Sequence, residues 1–408
     1  MSRFVYGLLT FDRTFSETSG SLPAMQISSK QAHWRDLARR FAEDEVKPHV
    51  ETMEKASQFP RAFMKRLGEL GILGIAFPKE FGGQGDDTFS FALALSEVTR
   101  VWASLGLSIG AHMLGTSPIL FAGTDAQKKK YLPSLLKGEM LGCFGLTEPG
   151  SGSDAGGGQT SASFENGLYK ITGKKVFTTS ASYASVYIVS VLTDKSKGKK
   201  GWSAFILEKG CPGLSIAKKE EKLGLLGSDT AGLILDHCSV PKENLLGEEG
   251  KGFRVFLQTL DAGRIGIAAW CIGLAQASLD ELVRWAKERN VLPSLMEEHE
   301  FVADAIAELA TKIEAAVLLT QEACRLKDSG VPYTKQASMA KYFASTVAVE
   351  AADRTIKTIG LEALTESFPV ARFFRDAKLG EIGEGTSEIQ KLVIAREVLT
   401  EALNLVAA

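Results

Sequence analysis

The sequence of 408 residues has little of the side-chain chemistry that holds a metal ion or a disulfide framework. Its five cysteines are scattered, odd in number and contain no CxxC pair, and its five histidines form no HExxH motif. Dispersed cysteines favour reduced thiols in a reducing compartment. We therefore expect no disulfide framework and no metal site.

Net charge and long apolar runs are also lacking. The formal charge is −2 and the isoelectric point is near 6.3, so electrostatics favour neither nucleic acid nor an anionic membrane as a partner. No run approaches the length of a bilayer span, and Asp12 and Glu17 argue against a signal or transit peptide. We expect a bacterial cytoplasmic protein, with the mitochondrial matrix as the alternative.

What the sequence does contain is a change of periodicity along the chain. Apolar residues recur at three- and four-residue steps between residues 28 and 141, give way to short β-rich runs separated by turn signals, and return to helical spacing after residue 251. The predicted strands are Leu168 to Thr172, Val186 to Leu192, Trp202 to Glu208 and Gly232 to Leu235, and the predicted long helices are Phe253 to Lys287, His299 to Ser329, Tyr333 to Gly360 and Glu388 to Leu405.

This order predicts an α+β multidomain protein. We divide the chain into an N-terminal extension (1–27), an all-α domain (28–141), a middle antiparallel β domain (142–250) and a C-terminal four-helix bundle (251–408).

One carboxylate stands out in the last connection of the predicted bundle. Glu384 lies between Gly383 and Gly385, and glycines let the backbone approach a ligand closely. An acid held on such a loop suits proton abstraction. The alternative is an exposed glutamate in an ordinary loop.

A helix is predicted to begin directly after this loop. Thr386 or Ser387 can serve as N-cap, and Ser387 with Gln390 has the spacing of a capping box. Apolar residues that recur at helical spacing predict a buried face, and these are Ile389, Leu392, Val393 and Leu399.

Two segments of the predicted β domain have the composition of a cofactor site. Leu146 to Gly158 has five glycines and two serines, which suits an anion-binding loop but matches neither a Walker A nor a Rossmann motif; the alternative is a flexible interdomain turn. Phe177, Thr178 and Thr179 end a predicted strand, where an aromatic face and hydroxyls can hold a flavin ring. Phe-Thr-Thr is also common in ordinary strands.

Together these motifs resemble the acyl-CoA dehydrogenase family of flavoenzymes, from about residue 30 to residue 400. Several motifs in the same order are more specific than any one of them. The segments that carry the resemblance are GCFGLTEPGSGSD (142–154), GKKVFTTS (173–180), GSDTAGLILDHCSVPKENLLGEEGKGF (227–253), LDAGRIGIAA (260–269), RDAK (375–378) and EGTSEIQ (384–390).

The resemblance implies an FAD enzyme that introduces a trans double bond between the α and β carbons of an acyl-CoA thioester. Glu384 is implied to be the general base that removes the α-proton, after which a hydride leaves the β-carbon for flavin N5. The thioester carbonyl is implied to accept hydrogen bonds from the Glu384 N–H and a ribityl hydroxyl, which stabilise the enolate charge. Desolvation should raise the pKa of Glu384 toward the range where a base is effective.

The resemblance also implies a set of binding residues. For Asp261 and Arg264, implied to meet the CoA portion, the alternative is a surface ion pair at i, i+3 spacing. The other substrate contacts implied are Ser153, Thr193 and Gly385. The implied FAD contacts are Phe144, Gly145, Leu146, Thr147, Gly152, Ser153, Phe177, Thr178, Thr179, Gly385, Thr386, Ser387 and Glu388.

Two segments depart from the family pattern at the adenine and pyrophosphate end of FAD. Where the family has Arg-x-x-Phe-Gly, only Arg289 remains, followed by Asn-Val-Leu-Pro. Where the family has a glutamine and then a Gly-Gly pair that contacts FAD across a subunit boundary, the chain has Lys357, Gly360 and Leu361. We expect differences in cofactor affinity and in the usual tetramer more than in the chemistry, and we hypothesise that Lys357 pairs with an FAD phosphate.

Gly263 and Gly106 bear on the substrate. Gly263, where other members carry an acid, resembles the short-chain type with its base at the position of Glu384. Gly106 replaces the carboxylate-binding arginine of glutaryl-type members, which disfavours a dicarboxylic substrate. Gly110 and Trp102 are expected to lie where the acyl pocket is shaped.

Three functional hypotheses follow. The first is a straight-chain acyl-CoA dehydrogenase of fatty-acid β-oxidation, a homotetramer or homodimer that passes electrons to an electron-transfer flavoprotein. The second is an oxidase or monooxygenase on the same fold, and the third is a non-catalytic relative that binds FAD weakly. Glu384 together with Thr147, Ser153 and Thr179 argues against the third, because a scaffold has no need of a base.

Overall fold

The N-terminal part of the protein is helical, as predicted. The computed structural model describes residues 27–295, 298–365 and 368–407, so nearly all of the expected N-terminal extension lies outside the described residues. Ser28 and Thr124 start their helices with capping boxes that pair them with Gln31 and Gln127, respectively. The helices are α1 (Ser29–Arg40), α2 (Val50–Lys55), α3 (Arg61–Glu69), α4 (Thr88–Val101), α5 (Ala103–Ala122) and α6 (Asp125–Leu136).

The middle part is one sheet in the order β6-β7-β3-β2-β4-β5-β8, with β1 added beside β4. Most neighbours are antiparallel, as predicted, but β1 runs parallel to β4, and so does β2 where Ser161 pairs with Leu192. The long connection through β2 and β3 makes a parallel pairing possible. The strands are β1 (Gly142–Gly145), β2 (Ser161–Glu165), β3 (Leu168–Thr179), β4 (Val186–Leu192), β5 (Trp202–Glu208), β6 (Leu214–Lys219), β7 (Thr230–Pro241) and β8 (Leu245–Leu246).

The C-terminal part contains the four long helices that the sequence predicts and one short helix before the Glu384 loop. The longest helix lies in the middle of the bundle, where it packs against α4, α5 and two other long helices of the bundle. The helices are α7 (Gly252–Glu288), α8 (Glu300–Asp328), α9 (Thr334–Ile359), α10 (Val370–Ala377) and α11 (Ser387–Ala407).

The two helical parts share one hydrophobic core. A single buried cluster runs from Trp34 in α1 to Ala377 in α10. Ser96 Oγ in α4 donates to the Ala269 carbonyl in α7 at 2.8 Å, and Trp270 Nε1 donates to the Ala103 carbonyl at 2.9 Å. The all-α domain and the bundle are therefore packed as one helical body.

Two buried carboxylates fasten the β domain to this helical body. Glu54 in α2 accepts hydrogen bonds from Trp102 Nε1 at 2.6 Å and from the Leu226 amide at 2.6 Å. Asp376 in α10 accepts one from the Leu225 amide at 2.6 Å. Burial raises the pKa of Asp376 to about 7. Because the same short loop is held from both sides, the β domain keeps a fixed position against the helices.

Two helices, Ala103–Ala122 and Gly252–Glu288, are long and apolar enough to span a bilayer by length and composition alone. In each, 61% of the most apolar window is buried within the fold. They therefore pack as core helices do.

Candidate active site

Glu384 lies in a tight bend that two successive residues form with left-handed backbone conformations. Its φ is +53° and that of Gly385 is +92°. A left-handed conformation costs a residue with a side chain about 1–2 kcal/mol, so other contacts must hold the bend. The acid is thus presented on a strained loop just before α11.

The helix cap after this bend differs in part from the predicted capping box. Thr386 Oγ1 accepts the Ile389 amide at 3.3 Å and is the cap, while Ser387 Oγ donates to the Glu381 carbonyl at 3.5 Å. Gln390 Nε2 donates to the carbonyls of Glu384, at 3.2 Å, and Gly385, at 3.0 Å. The predicted pairing of Ser387 with Gln390 is therefore wrong, because Gln390 turns back to hold the bend.

The buried face predicted for α11 is only partly present. Leu392 and Leu399 are 66% and 64% exposed, whereas Ile389 and Val393 are half-buried against the fold. The periodic pattern identifies the helix correctly, but it cannot show that this chain alone leaves much of that face uncovered.

The Glu384 carboxylate points at Gly263 on α7. A Cβ built on Gly263 would overlap Glu384 Oε2, so only glycine leaves room for the carboxylate there. Oε2 is buried and has no hydrogen-bond partner in the described part of the chain. An orphaned carboxylate oxygen is costly in a purely structural role and is expected at a site that receives a proton.

Glu384 and Gly263 line a cavity of about 430 Å³ between α4, α5 and α7. Gly110 faces open space in it, since no atom lies within 4 Å of a Cβ built there. Trp102, expected to shape the pocket, instead turns to Glu54. The apolar side chains that line the cavity include Phe91, Leu95, Leu107, Met113, Leu114, Ile267 and Trp270.

The electrostatics of this cavity favour a base that works near neutral pH. Burial raises the pKa of Glu384 to about 7, and the cations of Lys341 and Arg264 oppose a larger rise. A carboxylate with such a pKa takes up a proton more readily than an ordinary glutamate does.

Asp261 and Arg264 form the i, i+3 ion pair, but they are not on the surface. Their atoms Oδ1 and Nη1 lie 2.6 Å apart, with Arg264 only 7% exposed. Thr334 Oγ1 donates to Asp261, and Arg264 Nη1 donates to Ser338 Oγ on α9. Arg264 Nε is buried and donates to no acceptor among the described residues. The surface alternative is therefore wrong, and one donor beside the base remains free.

The two glycine- and hydroxyl-rich segments of the β domain come together. The Val176 amide donates to the Thr147 carbonyl at 2.9 Å, which joins the loop after β1 to the end of β3. Phe177, with φ +53° at a bulge of β3, is 66% exposed. Thr178 Oγ1 and Ser180 Oγ are buried and have no partner in the described chain.

The rest of the predicted flavin loop is open on one side. Gly152 and Ser153 are exposed, and no atom lies within 4 Å of a Cβ built on Gly152. Phe144 packs on Phe256 beneath the loop, with ring centroids 5.4 Å apart, and Leu146 joins the same apolar cluster. An exposed aromatic ring, unpartnered hydroxyls and an open glycine loop fit a planar cofactor with phosphates.

A buried ion pair that the sequence did not reveal anchors this loop. Glu148 Oε1 lies 2.6 Å from the Lys175 Nζ, and Glu148 also accepts the amides of Gln159 and Thr160. Burial lowers the pKa of Lys175 to about 8. Burial also disfavours the charged form of Glu148, but Lys175 and the two donors outweigh it and hold its pKa below the usual value. Both groups are thus charged near pH 7.

We expect Lys175→Met to lower the free energy of unfolding by about 3–5 kcal/mol, because it leaves Glu148 buried without a counterion. Chemical denaturation of the FAD-loaded protein measures the change. The control is Lys218→Met, whose exposed pair with Glu221 contributes less than about 1 kcal/mol. Adding Glu148→Gln to Lys175→Met should recover much of the lost free energy of unfolding. An unchanged unfolding midpoint in Lys175→Met alone would contradict the role of the buried Glu148–Lys175 pair in stability.

Several predicted binding residues lie away from these groups. Arg289 pairs with Glu362 at 2.6 Å. Lys357 pairs with Asp353, one turn earlier on α9, at 2.6 Å. Both pairs lie at the surface. Lys357 lies 16 residues beyond Lys341 on α9, about 24 Å along the helix axis. Gly360 is equally open. None of the ion pairs described for Arg289 and Lys357 reaches the β-domain segments.

The remaining substrate and loop residues are placed as follows. Thr193 directly follows β4; its hydroxyl donates to the Gly201 carbonyl at 3.1 Å, and the residue lines a separate open concavity of about 650 Å³ on the sheet. Glu388 is exposed on the first turn of α11. The structure therefore brings Glu384, Gly263, Asp261 and Arg264 together and leaves Thr193 outside their cavity.

Fold and site together define a flavin-dependent oxidoreductase that acts on a C–H bond: a buried, unpartnered base closes an apolar cavity, and a cradle for a planar cofactor lies on the neighbouring sheet. Residues 28–139, 143–238 and 250–399 match the N-terminal, middle and C-terminal domains of acyl-CoA dehydrogenase. The chain belongs to the acyl-CoA dehydrogenase family.

Relatives and solved structures support the same family assignment. The chain is 42% identical to the short-chain specific acyl-CoA dehydrogenase of Clostridium acetobutylicum, over 91% of this chain and 98% of the relative. The structure of butyryl-CoA dehydrogenase from Megasphaera elsdenii superposes with a TM-score of 0.89 at 38% identity, over 92% of this chain and 99% of that one. An acyl-CoA dehydrogenase from Bacillus anthracis solved with FAD gives 0.85 at 31% identity, over 93% of this chain and 68% of that one.

The predicted family, fold and cofactor are thus confirmed: the protein is an FAD-dependent acyl-CoA dehydrogenase. Sequence reasoning missed Lys341, Lys175 and Glu148, and it paired Gln390 with Ser387 instead of with the carbonyls of the bend. A lone lysine in the small-residue run ASMAKYFAS of α9 is a signal that could have drawn attention to Lys341.

Proposed function

We propose that this protein converts a short straight-chain acyl-CoA to its trans-2-enoyl-CoA, with Glu384 as the base that removes the α-proton. The observation that supports this assignment is the buried, unpartnered Oε2 of Glu384 at the wall of the apolar cavity. When bound, FAD supplies the acceptor for the hydride that leaves the β-carbon. The cavity wall excludes water, which strengthens charge interactions at the reacting carbon.

The chain itself supplies part of the stabilisation for the enolate. The Glu384 amide donates to no acceptor among the described residues, so it is free to bind the thioester carbonyl as negative charge develops there. Arg264, through its unpartnered Nε, and Asp261 bind the CoA portion, with Ser153 and Gly385 as lesser contacts. Thr193 would require the CoA moiety to extend over the sheet.

For FAD we propose the β-domain segments as the ring and pyrophosphate site. Phe177 covers the ring, and Thr147, Thr178, Thr179 and Ser153 supply hydrogen-bonding groups. Phe144 and Leu146 support the loop from beneath. The other proposed contacts are Gly145, Gly152, Gly385, Thr386, Ser387 and Glu388 from the same chain, and Arg289, Lys357 and Gly360 from a neighbouring copy.

We propose that the protein is a homo-oligomer, either a tetramer or a dimer, and that it lies in the bacterial cytoplasm. There it serves fatty-acid β-oxidation and passes electrons to an electron-transfer flavoprotein. The exposed apolar residues Leu392, Leu399 and Leu403 on α11 support an oligomer, because such a patch is usually covered by a partner.

Anaerobic titration of the FAD-loaded protein with acyl-CoAs of increasing length tests this function. Butyryl-CoA is expected to bleach the flavin absorbance, with longer chains reducing it more slowly once they exceed the cavity. Rapid hydrogen peroxide formation during turnover in air would instead support the oxidase or monooxygenase. Protein that stays colourless with added FAD would support the non-catalytic relative.

A further inference from the structure

Lys341 places a buried amino group directly behind the Glu384 bend. Burial lowers the pKa of this group, and nearby Cys271 and Glu384 oppose that shift. The Lys341 side chain, on α9, is fully buried, and its ammonium donates to the Gly385 carbonyl at 2.6 Å. None of the carboxylates that the structure describes lies within ion-pair distance of it. Burying an ammonium without a counterion costs several kcal/mol, so packing alone does not explain a lysine there.

Lys341 contacts the strained part of the loop. The carbonyls of Glu384 and Gly385, the two residues with left-handed backbones, accept hydrogen bonds from Gln390, and the Gly385 carbonyl also accepts the one from Lys341. These bonds offset the conformational cost of the bend. They fix the direction in which the Glu384 side chain leaves the backbone, over Gly263 and into the cavity.

Lys341 is also the cation near Glu384 whose charge is least compensated. The other cation, Arg264, is already paired with Asp261 at 2.6 Å. Of the acidic neighbours, Glu381 is paired with Lys378 at 2.5 Å, and burial raises the pKa of the Cys271 thiol to about 12, so it is neutral. The titratable and charged groups around Glu384 and Lys341 lie on several elements. They are Arg264, Asp261 and Cys271 on α7, Tyr333 just before α9, Lys341 on α9, Glu381 in the turn before the loop, and the exposed Glu388 on α11.

We propose that Lys341 is a positioning residue for the base. Its hydrogen bond holds the bend that aims Glu384 into the cavity, and its charge keeps the Glu384 carboxylate ionised when an acyl chain excludes water. The inference rests on the proposed role of Glu384 as the base and adds a residue outside the cavity to the machinery that makes it effective.

Three substitutions at this position separate the hydrogen bond from the charge. Lys341→Met loses both, so the acidic limb of the kcat/KM profile should move up by about one pH unit and FAD reduction at pH 7 should slow at least about tenfold, with KM changed less. Lys341→Gln keeps a donor without the charge: the limb should move while the plateau rate stays within about threefold of the parent. Lys341→Arg keeps the charge and should leave the limb in place.

A readout without turnover accompanies the kinetics. Infrared difference spectra of the parent against Glu384→Gln follow protonation of the Glu384 carboxyl as pH changes. Lys341→Met should move that titration to higher pH, in step with the kinetic limb. If Lys341→Met does not fold, the infrared titration of Lys341→Gln tests the charge by itself.

Lys335→Met is the matched control, since Lys335 lies on the same helix but pairs with Glu401 at 2.5 Å, away from the bend. It should leave the profile unchanged. An unmoved limb and titration in folded Lys341→Met and Lys341→Gln, or equal effects in Lys335→Met, would overturn the inference. If Glu384→Gln retains the parental rate, the proposed base itself is wrong; if Glu384→Gln is inactive while the Lys341 variants behave as the parent, only the inference about Lys341 fails.

Discussion

Glu384→Gln is expected to slow reduction of the bound FAD by butyryl-CoA at least about a thousandfold, because an amide cannot accept the α-proton. The substitution keeps the size of the side chain, so the cavity and the fit of the side chain over Gly263 are unchanged. Anaerobic stopped-flow absorbance measures the rate, and equilibrium binding of butyryl-CoA should be affected far less. A Glu384→Gln variant that bleaches as fast as the parent would show that another group takes the proton.

The pH dependence of the parent gives a second test of the same assignment. Burial raises the pKa of Glu384 to about 7. The carboxylate is the active form, so kcat/KM should rise as the pH increases through about 7 and lie on a plateau above it. Glu401→Gln, a change to an exposed carboxylate of α11, should preserve both rate and profile. A parental profile that stays flat from pH 5 to pH 9 would contradict the assignment.

Gly263→Ala is expected to lower the rate of FAD reduction about a hundredfold although it adds one methyl group. The new Cβ would overlap Glu384 Oε2 and lie 2.8 Å from Leu114 Cδ2, so the carboxylate has to move by about 1 Å or more. A displacement of that size can cost about 10² in rate when a catalytic group must meet a defined atom. The same stopped-flow assay measures it, and the flavin content and unfolding midpoint should stay close to those of the parent.

Gly266→Ala provides the size-matched comparison. It adds the same methyl group to the same wall of the cavity, but no atom lies within 4 Å of the new Cβ. Only KM should respond, because the direction of Glu384 is untouched. Equal rate losses in the two variants would mean that Gly263 acts through the acyl pocket and not through the base.

The sequence predicts the succession of elements well for a physical reason. Hydrophobic periodicity reports which face of each element is buried, and it correctly places the four long helices from α7 to α11 and the strands around Val186 and Trp202. It does not report what covers that face. The shared core from α1 to α10 and the exposed Leu392 and Leu399 therefore became visible only in the structure.

In the site, too, some features follow from local sequence and others only from long-range packing. Glycines on both sides of Glu384 and the order of the motifs are properties of the chain, so the cofactor, the family and a candidate for the base could be predicted from them. The parallel pairing of β1, the burial of Asp261 with Arg264, and the pairing of Arg289 with Glu362 depend on long-range packing. No local pattern encodes such distances.

By itself, the sequence determined that this protein carries a loop-borne carboxylate, a glycine-rich cofactor segment and the alternation of helical and β parts, because these follow from residue types and near-neighbour spacing. Only the tertiary structure decided where the carboxylate points and which charged groups lie close to it. Both depend on Gly263, Lys341 and Gln390, and Gly263 and Lys341 lie far from Glu384 along the chain. Burial and hydrogen bonding between separate helices, α7, α9 and α11, bring these groups to one point.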